Sequence, residues 1–250
     1  VEILKMTRTP MPFCCTVALG AASMIALAGF APDDQEKFLF TDNFNDNSID
    51  PPWDSGSFSG KAVTNANGRL QFSANGATGQ LGFAGLVVEP WGANIRRDFQ
   101  VEANSFINLT NVTGNELVFL GFGFANEGDL AEFPNTGTVL GAGVLRTSAA
   151  ILLGWVKLVD GAVVDFDGDI ITQTSGKITV EFDKSDNELS IRRNGQTVTY
   201  NGFFTDFGAA HPTDPLVITL GCVTANGNAS FPGSRVRLDN FEFNGFKRLR

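Results

Sequence analysis

Short apolar or alternating runs recur along this chain, and Gly, Asn, Asp or Pro interrupts each of them. No long stretch carries a 3.6-residue apolar period, so a helical body is excluded and strands must build the fold. The runs are Phe38–Phe44, Leu70–Ser73, Leu81–Glu89, Phe99–Leu109, Leu117–Ala125, Thr138–Leu145, Ile151–Val159, Ile170–Phe182, Leu189–Arg193, Thr197–Tyr200, Leu216–Thr224 and Val236–Phe243. About a dozen strands at this spacing predict an all-β sandwich or barrel. In "LSIRRNGQTVTY", Asn194-Gly195 separates two of them and predicts a tight type I′ hairpin, whose central residues need positive φ.

Phenylalanine occurs 23 times and tyrosine once. Alternation places Phe99, Val101 and Ala103 on one face, Phe122 with Phe124, and Phe241 with Phe243. Most of these rings are expected between two sheets, and a chain of 250 residues can bury such a core without disulfides. The cysteines are Cys14, Cys15 and Cys222. Cys222, in "LVITLGCVTA", reads as a small buried hydrophobe.

"MTRTPMPFCCTVALGAASMIALAGFA" begins at Met6, with Arg8 as the positive region and an uncharged run from Phe13 to Ala31. Ala26-Leu27-Ala28 fits an A-x-A cleavage pattern. Residues 1–31 are therefore expected to be a signal peptide with its leader, and residues 32–250 one folded domain. A retained membrane anchor is the alternative, because the uncharged run is long enough to span a bilayer. With cleavage, the chain is expected to be secreted, or periplasmic or in the cell envelope, and to have no membrane contact. Its net charge of −9 argues against nucleic acid as a partner. A monomer is expected.

Three segments resemble one family. "FTDNFNDNSIDPPW" is similar to the opening of many exported concanavalin A-like domains, the LamG-like jelly rolls among them. "ITVEFDKSDNELSIRRNGQTV" resembles their late hairpin, and "VRLDNFEFNG" their closing strand. The resemblance covers both ends of the mature chain and its later hairpin. It implies a concanavalin A-like jelly-roll β-sandwich of two antiparallel sheets, in which the first and last strands pair. Known members include sugar-binding modules, glycoside hydrolases and adhesion domains, so the fold leaves activity open.

In the opening stretch, Asp42 alternates with Phe40 and Phe44, and near the other end Asp239 alternates with Phe241 and Phe243. An aspartate facing aromatic rings needs compensation from an arginine, from backbone N–H groups or from a cation. In jelly-roll sugar-binding modules the closing-strand Asp helps bind a structural Ca²⁺. The resemblance thus implies Asp42 and Asp239 as ligands, with Asn43 or Asp46 adding oxygens. The bland alternative is turn capping, or pairing with Arg235 or Arg237. "DFDGD", Asp165–Asp169, reads as an exposed acidic turn, since it lacks the distal Glu of a calcium loop.

Laminarinase-like members carry E-x-D-x-x-E. Glu181, Asp183 and Asp186 approach that pattern, with Asp in the final place, and read as an exposed strand edge. A Ser-His-Asp triad would depend on the single histidine, His211, with no G-x-S-x-G element present. Among the aromatics, Trp53 and Trp155 read as packing residues. Trp91, in "VVEPWGANIRRDF", reads as loop-borne, and with Asn94 and Arg96 it forms the candidate ligand contact. The function expected is non-catalytic binding of a glycan or cell-surface polysaccharide. A glycoside hydrolase is the first alternative, and an adhesion or envelope protein with a protein partner the second.

Overall fold

A computed structural model describes residues 37–76, 81–88, 91–110, 112–113, 116–132, 137–209, 215–225 and 229–249. The leader and His211 lie outside these residues. In chain order the strands are β1 Lys37–Asp42, β2 Trp53–Phe58, β3 Lys61–Asn65, β4 Leu70–Asn75, β5 Gly82–Val88 and β6 Trp91–Ala93. They continue with β7 Phe99–Ile107, β8 Leu117–Asn126, β9 Thr138–Thr147, β10 Ile151–Val159, β11 Ala162–Ile171 and β12 Ser175–Asp183. The last are β13 Glu188–Arg193, β14 Gln196–Asn201, β15 Leu216–Ala225, β16 Ser230–Phe231 and β17 Val236–Leu249. Two short helices, α1 Glu127–Glu132 and α2 Phe203–Phe207, interrupt them.

All pairings among the described residues are antiparallel and form two sheets. One, which holds the first strand and most of the last, runs β14-β13-β12-β7-β17-β1, with β4, β3 and β16 alongside the first half of β17. The other runs β2-β5-β15-β8-β9-β10-β11. Strand β17 belongs to both: it pairs β1 over Phe241–Phe246, then pairs β6 from Lys247 onward. The expected pairing of first and last strands is present. The Asn194-Gly195 hairpin is too, with φ of 49° and 83° at its two central residues.

Between the sheets lie the rings that the alternation assigned there. Phe99, Phe122, Phe124, Phe241 and Phe243 are all buried, and Phe182 and Phe203, which the alternation did not assign, join them. Phe99 sits 5.4 Å from Phe182, 5.9 Å from Phe124 and 6.3 Å from Phe243, centroid to centroid, so it ties β7, β12, β8 and β17 together. Each such ring contributes about 1.5–3 kcal/mol through area burial. Trp155 packs edge-on to Tyr200 and donates from Nε1 to the Thr199 carbonyl at 3.2 Å.

The second sheet has a feature that pattern reading did not anticipate. Gly56, Gly85, Gly221, Gly121, Gly143, Gly154 and Gly168 stand in register, one on each of its seven strands. All are on its outer face, since their neighbours Leu120, Phe122, Leu220 and Leu153 point into the core. The row lets outer-face rings lie flat on the sheet. A Cβ at Gly85 would meet the Phe83 ring at 2.5 Å, and one at Gly141, beside the row, would meet the Phe119 ring at 2.9 Å.

Three expectations are corrected. "DFDGD" is not a turn but the middle of β11, because its aspartates alternate with apolar residues and pair along β10. Glu181 is not on a sheet edge, since β12 lies between β7 and β13. Asp239 does not share the face of Phe241 and Phe243. A bulge between Asp239 and Glu242, with Asn240 at φ 52°, inserts one residue and turns Asp239 outward while both rings stay inward.

Cys222 is buried, and burial pushes its thiol pKa up to about 12, with Lys61 opposing weakly. Cys222 should therefore resist a thiol reagent at about pH 8 in the native protein and react fully in urea. Rapid native labelling would contradict this packing. Replacing Phe243 with Ala should cost about 3–5 kcal/mol of unfolding free energy, read from the urea midpoint.

Candidate functional site

The outer face of the terminal sheet is polar where β12, β7, β17 and β1 run side by side. Alternation sends Val101, Ala103, Ile178 and Val180 inward, which leaves Glu102, Asn104, Lys177 and Thr179 outward. Register then aligns them across strands. Thr179, Glu102, Glu242 and Thr41 form one transverse row, and Lys177, Asn104 and Asp239 stand in register beside them. The extra residue at Asn240 bends β17 between these rows. The result is a groove of about 450 Å³ lined by Thr41, Asp42, Asn43, Glu102, Asn104, Lys177, Asn240, Phe241 and Glu242.

Charges in the groove are unevenly compensated. Glu102 Oε1 takes Lys177 Nζ at 2.8 Å, while Oε2 accepts from Gln100 Nε2 at 3.1 Å and from Thr179 Oγ1 at 3.4 Å. Glu242 faces Glu102 directly across the β7–β17 pair, where like charges oppose one another. Asp42 is compensated from within the fold. Its Oδ1 accepts from Phe44 N at 2.7 Å and its Oδ2 from Trp53 Nε1 at 2.6 Å. Of the three partners considered for Asp42, backbone N–H is therefore present. The indole N–H of Trp53, brought across from β2, completes the set.

The other opening-stretch residues cap turns. Asn43 Oδ1 accepts from Asn45 N at 3.2 Å. Asp46 Oδ1 accepts from Ser48 N and from Asn65 Nδ2, both at 3.1 Å, which stitches this loop to the end of β3. Asp239 Oδ1 accepts from Asn240 N at 2.8 Å, and Oδ2 stands 3.7 Å from Arg69 Nε. The four residues implied as calcium ligands thus present oxygens already engaged by N–H donors or a guanidinium. Among the described residues no three His, Cys, Asp or Glu side chains converge as a metal site. The donor set does not fit the implied ion.

Trp91 is not loop-borne. It opens β6 and is 5% exposed, with its indole 4.9 Å from Phe38, 5.6 Å from Phe40 and 5.0 Å from Phe243. These rings leave no indole face on which a ligand could stack. Asn94 is buried, accepting from Arg96 N at 3.1 Å and donating its own N–H to the Phe246 carbonyl at 2.8 Å. Arg96 is exposed at the surface of that turn. The laminarinase-like acids are also separated in role. Glu181 pairs with Arg192 at 2.7 Å, whereas Asp183 caps the following turn through Ser185 and Asp186.

Burial raises the Asp239 pKa above the ordinary carboxylate value; the Asn240 N–H, Arg69 and Arg237 oppose this without cancelling it. An acid with a raised folded-state pKa binds protons more tightly when folded. Its contribution is therefore present at low pH and is lost as pH rises through the folded pKa. The Asp239→Asn variant should gain stability relative to the parent as pH rises through and beyond the ordinary aspartate range. Urea unfolding across that range measures the difference, and a flat or falling difference would contradict the assignment.

No family model and no curated protein matches the chain. Solved structures do. Basic winged bean lectin with Tn-antigen superposes with TM-score 0.55 at 10% identity, over 86% of this chain and 99% of that one. Winged bean acidic lectin complexed with methyl-alpha-D-galactose gives 0.53 at 11% identity, over 85% and 100%. The carbohydrate recognition domain of Emp47p gives 0.53 at 15% identity, over 83% and 95%. At these identities the likeness concerns architecture alone, and with the pairing described above it shows that the chain has the concanavalin A-like β-sandwich fold.

Proposed function

We propose that this protein is an exported, non-catalytic module that binds a glycan in the groove beside Asn240. The observation that carries the reading is the lining itself. Amides from Asn43, Asn104 and Asn240 stand with Glu242, Lys177 and Thr41 around a space in the size range of ligand pockets. Sugar hydroxyls both donate and accept, and such a mixture of amides, carboxylates and an ammonium answers both needs. The lectins it resembles in architecture were solved with galactoside or Tn-antigen ligands, which agrees with this reading. Export rests on the leader read in residues 1–31.

A second reading comes from the direct opposition of Glu102 and Glu242 on paired strands. A retaining glycoside hydrolase needs two carboxyl groups about 5–5.5 Å apart, one of them free to give up a proton. Both oxygens of Glu102 are engaged by Lys177, Gln100 and Thr179, which favours binding over catalysis.

A glycan array followed by calorimetry on the best ligand tests both. Binding should fall about tenfold or more in Asn104→Ala and in Glu242→Gln, as expected for loss of one or two hydrogen bonds. It should be unchanged by EDTA, because the opening acids carry N–H partners. Release of reducing sugar that Glu242→Gln abolishes would establish the hydrolase instead. Absence of any glycan ligand would leave a protein-binding role.

A further inference from the structure

Arg193 closes β13, and the alternation that sends Leu189 and Ile191 into the core sends its side chain the same way. It is 2% exposed and is among the largest fully buried side chains. The connection between β11 and β12 is strapped across this end of the sandwich. Ile107 N donates to the Thr174 carbonyl at 2.8 Å, and Asn194 Nδ2 to the Ser175 carbonyl at 3.2 Å. Gln196 Nε2 donates to the Ile170 carbonyl at 3.2 Å. Within this strap the guanidinium makes one hydrogen bond, from Nη1 to the Gln173 carbonyl at 2.9 Å.

Nε and Nη2 are buried and have no hydrogen-bond partner among the described residues. None of the ion pairs among the described residues involves Arg193. Burial lowers its pKa, with no neighbouring charge contributing. Arginine nevertheless stays protonated in proteins, so this end of the core holds a full positive charge. An uncompensated buried charge is strongly destabilising. The two unengaged donors also lie along the same edge of the planar guanidinium. That edge is the fork that accepts a carboxylate side-on, through two parallel N–H···O bonds.

We propose that Arg193 anchors a buried anion site that takes a small planar oxyanion of the carboxylate type, bound side-on to Nε and Nη2. The Gln173 carbonyl on Nη1 fixes the orientation of the fork. Arg193 lines neither the polar groove nor the small apolar cavity on the outer face of the second sheet, so this site is separate from the proposed glycan groove. Its near-complete burial limits the occupant to an ion of a few heavy atoms, such as formate, acetate or bicarbonate. The bound ion would act as a structural counter-charge that secures the β11–β12 connection and the Asn194-Gly195 hairpin.

The test is thermal unfolding of the full chain near neutral pH, with chloride replaced by formate, acetate or bicarbonate at constant ionic strength. At a hundredfold excess over Kd the midpoint should rise by about 5–10 °C. Arg193→Lys keeps the charge but lacks the fork, and should weaken the anion dependence at least about tenfold. Arg193→Met should abolish it. Should Arg193→Met fail to fold, saturation-transfer NMR of formate on the parent and on Arg193→Lys decides: transfer is expected in the parent and strongly reduced in Arg193→Lys. A parent whose midpoint ignores the oxyanion, as it would if ordered water alone filled the fork, overturns the proposal. So does an equal response in the parent and Arg193→Lys.

Discussion

Strand β17 is the constraint on which this architecture depends. It lies between β7 and β1 in one sheet and then crosses to pair β6 at the end of the other. Its inward residues Val236, Leu238, Phe241 and Phe243 are all buried, so one segment near the C-terminus closes the core against the first strand of the domain. Pairing of segments so far apart in sequence demands loop closure over almost the whole domain. The core rings that meet only after closure offset that cost.

The bulge at Asn240 serves both sides of this strand. A strict two-residue period cannot place Val236, Leu238, Phe241 and Phe243 on one face. The additional residue restores the inward register after Leu238, and Asn240 accepts a positive φ, which asparagine tolerates better than most residues. On the outside the same kink opens the polar groove between Asn104 and Glu242. Core packing and the candidate site thus share one irregularity. Across the core, Asp42 is held by Trp53 from β2 and by the Phe44 N–H, so the acid at the groove's margin is also a tie between the two sheets.

Much of the architecture was legible beforehand. The run Ile151–Val159 coincides with β10, and those around Leu117, Thr138, Leu189 and Leu216 match their strands to within two residues, because continuous apolar runs bounded by turn residues leave little choice. Strands β2, β3 and β11 carry little such signal, because they contain Asp, Ser, Gly and Lys and have one or both faces exposed, which erases the apolar period. The candidate site was hardly legible. Gln100, Glu102 and Asn104 alternate visibly with Val101 and Ala103, but nothing local says that Lys177 and Glu242 stand beside them. Trp91 misled for the opposite reason: its neighbours Pro90, Gly92 and Asn94 have loop-like chemistry, while three rings from β1 and β17 enclose it.

The sequence by itself determined that the chain is built of strands, that its phenylalanines form the core, that Asn194-Gly195 makes a hairpin turn and that the first and last strands belong together. The first three follow from local chemistry, namely side-chain period, turn-forming residues and apolar burial, and the pairing of first and last strands is what the family resemblance implies. The tertiary structure alone decided which way Asp239 faces, that seven glycines line up across one sheet, and that the Arg193 side chain ends in the core. Those outcomes depend on register between strands distant in the chain, where a shift of one residue exchanges the inner face for the outer.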